Sequence, residues 1–132
     1  MTNKRVYLYD STLRDGAQTS GVNFSSNDKI AIAKKLDELG VDYIEGGWPG
    51  ANQTDDDFFS NLPKLTKSQF SAFGMTRRNG ISTENDAGLN ALTNSQVNSI
   101  CIVGKCWDFH LTHALHISEE ENLEMISDSI KH

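Results

Sequence analysis

Cysteine is nearly absent from this chain of 132 residues: Cys101 and Cys106 stand five apart with no second pair. That excludes a disulfide framework and a zinc knuckle, and leaves two thiols to behave as small hydrophobes. Proline occurs twice, and no Pro- or Gly-rich linker, charge block or low-complexity segment interrupts the sequence, so nothing marks an internal boundary. Long apolar runs are missing too. Nothing approaches the roughly 20 residues that cross a bilayer, and the first strand is reached by Val6, which leaves no room for a signal peptide. Positive charge is in deficit: 12 Lys and Arg against 18 Asp and Glu give a formal net charge of −6. An acidic surface gains nothing from a nucleic acid or an anionic membrane. The expectation is a soluble, cytoplasmic protein with no nucleic-acid and no membrane partner. With 37% hydrophobic residues the chain can bury one core, so residues 1–132 read as one domain or part of one.

What is present has a rhythm. The segment RVYLYD (5–10) is rich in Val, Leu and Tyr and reads as a strand. SSNDKIAIAKKLDELG (25–40) has Ser25 as N-cap, Asp28 in the first turn, apolar residues at helical spacing and Gly40 as the stop. VDYIEG (41–46), SQFSAFGM (68–75) and VNSICIVG (97–104) read as further strands. DDDFFSNLPKL (55–65), ENDAGLNALTNS (84–95) and SEEENLEMISDSI (118–130) read as helices, the last opened by a capping box of Ser118 and Glu121. A helix after each of four strands is the alternation of a parallel α/β sheet. An open doubly wound sheet and a (β/α)₈ barrel share this pattern, but a barrel needs about 250 residues, so a barrel reading makes this chain half of one.

Such folds put their chemistry in the loops after the strands' C-terminal ends. Arg14, Asp15 and Gln18 follow the first strand, Glu45 ends the second ahead of GGWPG (46–50), and His110 follows the fourth. A carboxylate such as Asp15 is a hard oxygen ligand for Mg²⁺ or Mn²⁺, and a guanidinium offers paired donors to a carboxylate or a growing oxyanion. GGWPG lacks the Lys and Ser/Thr of a P-loop and reads as a turn. His110, His113 and His116 stand three apart on a helix-like stretch, with the last two expected to face solvent. Arg77, Arg78 and Asn79 read as a solvated loop rather than a phosphate cradle, and Trp48 and Trp107 as packing groups at the rim.

The segment DSTLRDGAQ (10–18) resembles the first-strand signature of the metal-dependent, acyl-CoA-condensing barrels: isopropylmalate, homocitrate and citramalate synthases, with hydroxymethylglutaryl-CoA lyase as a cousin. KKLDELGVDYIEGGWPGANQTDDDFF (34–59), SAFGMTRR (71–78) and GKCWDFHLTHALHISEEENLEMISDSI (104–130) look closest to the citramalate synthase branch. The resemblance implies the N-terminal half, four βα units, of a TIM (β/α)₈ barrel catalytic domain of pyruvate carboxyltransferase type, truncated at residue 132. It implies Claisen condensation of acetyl-CoA with pyruvate to citramalate and CoA, in isoleucine and leucine biosynthesis. The implied cofactor is a divalent cation, Mg²⁺ or Mn²⁺ or else Zn²⁺, and the implied assembly is a homo-oligomer. By the same resemblance Arg14 and Glu45 are catalytic, Arg14, Gln18 and His110 bind the keto acid, and Asp15 ligates the metal.

The departures from that pattern carry expectations too. The family's His-x-His ligands and its general base for acetyl-CoA are not in these 132 residues, so the isolated chain is expected to be inactive. A half-barrel is expected to expose an apolar inner layer with Ile44, Phe70 or Ile102 in it, and to dimerise or aggregate. Two alternatives stay open: a condensing enzyme using another 2-keto acid, and a non-catalytic half-barrel.

Overall fold

A computed structural model describes residues 4–132. Four parallel strands form one sheet in the order β1-β2-β3-β4: β1 Tyr9–Asp10, β2 Tyr43–Gly47, β3 Gln69–Met75 and β4 Ser99–Val103. The helices between and after them are α1 Ser26–Leu39, α2 Gln53–Ser60, α3 Ala87–Thr93, a short α4 Asp108–His110 that runs into a π-helical turn Leu111–Leu115, and α5 Glu119–Lys131.

Local chemistry sets most of these boundaries. Ser25 and Ser118 each accept a hydrogen bond from the backbone N–H three residues on, while the Asp28 and Glu121 carboxylates accept one from the cap amide. Gly40 ends α1 at φ +89°, a conformation that costs glycine little. α2 begins earlier than the acidic run suggests because Asn52 caps it through the Asp55 N–H. β1 is shorter than RVYLYD. The Asp42 carboxylate takes the Leu8 N–H, and the Leu8 carbonyl accepts from both Asp42 and Tyr43, so the ladder starts only at Tyr9. The π-helical turn at 111–115 has no sequence signal of its own and closes with His116 at φ +54°.

The two faces of the sheet differ. Ile44 packs with Leu13, Ala33, Val41 and Phe58, and Phe70 lies against that cluster. Ala72 packs with Leu89 and Leu92, joined by Ile102. Ile44 pairs with Phe70 across the ladder, and Phe70 and Ala72 share a face by strand alternation, so α1, α2 and α3 all cover one side. A doubly wound sheet would carry helices on both. Ile44, Phe70 and Ile102 therefore belong to the helix-covered face, and the expectation that they form an apolar inner layer is wrong. The inner face is instead built from in-register rows of Tyr9 with Tyr43, Glu45 with Ser71 with Ser99, and Phe73 with Cys101.

Arg77 is the other correction. It is 9% exposed, not a solvated loop residue: both its Nε and its second terminal nitrogen donate to Asp128 Oδ2, at 3.0 and 2.8 Å, and its backbone N–H donates to Ser129 Oγ. It ties the end of β3 to α5.

Candidate active site

The turn after β1 is wound around one carbonyl. The N–H groups of Arg14, Asp15 and Gly16 all reach Ser11 O, at 2.9 to 3.1 Å, while Asp10 accepts from the Thr12 N–H and hydroxyl. Leu13, fully buried in the core under α1, pins the turn from below. Arg14 is thereby aimed back across the strand ends. Its Nε donates to Glu45 Oε2 at 2.7 Å, a terminal nitrogen donates to Asp15 Oδ1 at 3.1 Å, and its guanidinium lies 4.1 Å over the Phe73 ring. Charge-assisted donation of this length is strong, and the aromatic face adds a cation–π term.

Glu45 is 1% exposed, and a buried carboxylate needs partners for both oxygens. Oε2 has Arg14; Oε1 has the Tyr9 hydroxyl at 3.0 Å. Because a carboxylate only accepts, the phenolic proton of Tyr9 points to Glu45, which leaves the phenol oxygen to accept from Ser71 Oγ at 3.1 Å. Ser99 Oγ in turn reaches Ser71 Oγ at 3.4 Å. Burial pushes the Tyr9 phenol above its ordinary value; the Ser71 bond opposes this, and the Glu45 charge adds to it.

Gln18 and Arg14 both line a cavity of about 390 Å³ walled by Phe24, Lys29, Trp48 and Asp55. Trp48 stands edge-on to Phe73 with centroids 5.3 Å apart, and also lines a second cavity of about 320 Å³ beside Met75 and Met125. Its loop is fixed from beneath. Asp55, buried on α2, accepts from Lys29 Nζ, from the Trp48 N–H at 2.9 Å and from Asn52 Nδ2 at 3.1 Å, and Lys29 Nζ also reaches Gly46 O at 3.1 Å. Gly47, at φ +148°, has no room for a side chain, since a Cβ would lie 2.6 Å from the Asp55 carboxylate.

The structure thus brings Arg14, Asp15 and Glu45 into direct contact and sets Gln18 on the same cavity. His110 sits apart: it is half-buried with its ring 4.7 Å from Trp107, and among the described residues no hydrogen bond joins it to the Arg14 cluster. Tyr9, Ser71 and Lys29 escaped the sequence reading; the signal available was alternation, which puts Tyr9 on the face of Tyr43 and Glu45. For a divalent cation the donors fit only in part. Asp15 is exposed and offers one carboxylate, and among the described residues no three His, Cys, Asp or Glu side chains group to hold a metal.

A family model described as HMGL-like matches residues 5–132. The (R)-citramalate synthase of Sulfolobus acidocaldarius is 48% identical over 100% of this chain and 26% of its own length. That of Geobacter sulfurreducens is 49% identical over 96% of this chain and 24% of its own. The 2-isopropylmalate synthase 1 of Caldanaerobacter subterraneus is 36% identical over 98% of the chain. The chain spans about a quarter of the length of the citramalate synthases it matches. Among solved structures, the HMG-CoA lyase of Bacillus subtilis superposes with a TM-score of 0.72 at 19% identity, covering 97% of this chain and 42% of that one. The four βα units are part of a (β/α)₈ barrel, in agreement with strand order and with helices on one face. The chain belongs to the HMGL-like family.

Proposed function

We propose that this chain carries the first-strand part of a citramalate synthase active site, which joins acetyl-CoA to pyruvate and releases citramalate and CoA in the branched-chain amino-acid route. The methyl group of acetyl-CoA loses a proton, its carbon attacks the keto carbon, the keto oxygen takes up a proton as a hydroxyl, and water cleaves the thioester. The observation that carries the reading is the Arg14 guanidinium, held on Glu45 through Nε with one terminal nitrogen on Asp15, which leaves the other terminal nitrogen without a hydrogen-bond partner among the described residues. The terminal nitrogens bind the pyruvate carboxylate and stabilise the oxygen on which negative charge grows. Gln18, on the same cavity, orients the keto acid, and His110, in the segment after β4 with its ring on Trp107, is the further contact assigned to the keto acid. Asp15 would serve as one oxygen donor to a divalent cation, for which the described residues group no further set of donors. The working protein is a homo-oligomer in the cytoplasm.

The test is a chimera in which residues 5–132 replace the matching segment of the Sulfolobus acidocaldarius enzyme. Thiol release from acetyl-CoA with pyruvate is expected above background, and Arg14→Ala is expected to lower kcat by about 10²–10³, the cost of losing one oxyanion donor. A folded chimera that turns over 2-ketoisovalerate and not pyruvate would overturn the substrate assignment. Full activity in the Arg14→Ala chimera would overturn the role of Arg14.

A further inference from the structure

Glu45 is almost wholly buried, yet its two oxygens face in different directions, one to Arg14 and one to Tyr9. A carboxylate fixed through one oxygen alone can rotate about its last bond; fixed through both, it holds one plane. Tyr9 is well placed to supply the second hold. Its ring stacks on Tyr43 with centroids 6.1 Å apart, and its oxygen is anchored by Ser71, itself in contact with Ser99. The chain of contacts Ser99, Ser71, Tyr9, Glu45, Arg14 thus crosses all four strands and ends at the Arg14 guanidinium.

We infer that Tyr9 is a positioning residue: through its hydroxyl it sets the plane of the Glu45 carboxylate, and through that carboxylate it aims Arg14 at the substrate. The role of Arg14 rests on the function proposed above, whereas the mechanical link from Tyr9 to Arg14 does not. Hydrogen bonds to charged groups are worth enough that losing the phenolic donor releases the carboxylate rather than leaving it in place.

The chain has four arginines, at positions 5, 14, 77 and 78. In protein labelled with ¹⁵N-arginine, Arg14→Lys identifies the Arg14 Nε–H signal. Arg77 Nε, bound to Asp128 at 3.0 Å, serves as an internal standard far from the change. In Tyr9→Phe, which keeps the stacked ring, the Arg14 signal is expected to move toward that of free arginine and to exchange with solvent about tenfold faster or more, as expected for a weakened charge-assisted bond. The Arg77 signal is expected to stay. An Arg14 signal unchanged in position and exchange overturns the inference, even if the variant melts at a lower temperature. Should Tyr9→Phe fail to fold, wild-type chain grown on 3-fluorotyrosine replaces it: the acidified phenol must then move the Arg14 signal and spare Arg77, and an unmoved Arg14 signal overturns the inference equally. Titration with pyruvate separates the two readings, because an Arg14 signal that follows Tyr9 but ignores pyruvate keeps the link and removes the substrate.

Discussion

Replacing Asp55 with alanine should destabilise the fold more than any change to a surface charge. The Lys29 and Asp55 side chains are 4% and 10% exposed, so the substitution leaves an ammonium group in the interior with Gly46 O as its remaining partner. It also frees the Trp48 N–H and Asn52 Nδ2. Breaking a buried pair from one side costs about 3–5 kcal/mol. With about 2.1 cal/mol/K of unfolding entropy per residue, a chain of this length loses roughly 11–18 °C of melting temperature for that cost. Urea unfolding at fixed protein concentration, followed by tryptophan fluorescence, measures it; the concentration must be held because association shifts apparent stability. The double variant Lys29→Met, Asp55→Leu removes both charges together and should recover most of the loss, since apolar replacement of a buried pair is often neutral. The reasoning fails if Asp55→Ala costs less than about 1 kcal/mol, a value typical of an exposed pair, or if the double variant is no better than the single one.

Two further outcomes follow from other parts of the sheet. Asp37 accepts from the N–H groups of Ser68, Thr66 and Lys67 and from the Thr66 hydroxyl, which together hold its carboxyl well below the usual range. A depressed folded-state value contributes stability that is complete above the unfolded value of about 3.9 and lost as pH falls below it; Asp37→Asn should therefore flatten the acid limb of a stability–pH curve, and an unchanged limb would exclude this carboxylate as its source. In Gly74→Ala the new methyl group would overlap the Leu92 side chain on α3, so urea unfolding should show a loss of about 1–3 kcal/mol, partly recovered by Leu92→Val, whereas a neutral Gly74→Ala would mean that α3 shifts freely.

The parts of this fold written in local chemistry were legible in the sequence. Ser25 with Asp28 and Ser118 with Glu121 are capping pairs within one turn, and they placed two helices to within a residue. Arg14 and Glu45 were legible as residues of one rim because βα alternation sends every strand's C-terminal end to the same side. What stayed hidden depended on which way a side chain faces. A strand buried on both faces gives no alternation to choose between them, so Ile44, Phe70 and Ile102 were assigned to the wrong layer and Tyr9 passed as an ordinary strand aromatic. Arg77 was misread because only the arrival of α5, fifty residues later, turns a loop cation into a buried partner of Asp128. His110 follows β4 as the alternation expects, and the turn of α4 sets its ring against Trp107.

The strand order β1-β2-β3-β4 has a consequence for how the protein is born. Every ladder joins a strand to the one made just before it, about one βα unit earlier in the chain. A ribosome adds roughly 5–20 residues per second, so seconds separate the emergence of successive strands, while a helix forms in about a microsecond. Each of β2, β3 and β4 therefore meets the edge of a strand already made. Assembly can run vectorially, one unit at a time, with the Arg14 turn in place first and Glu45 delivered to it next.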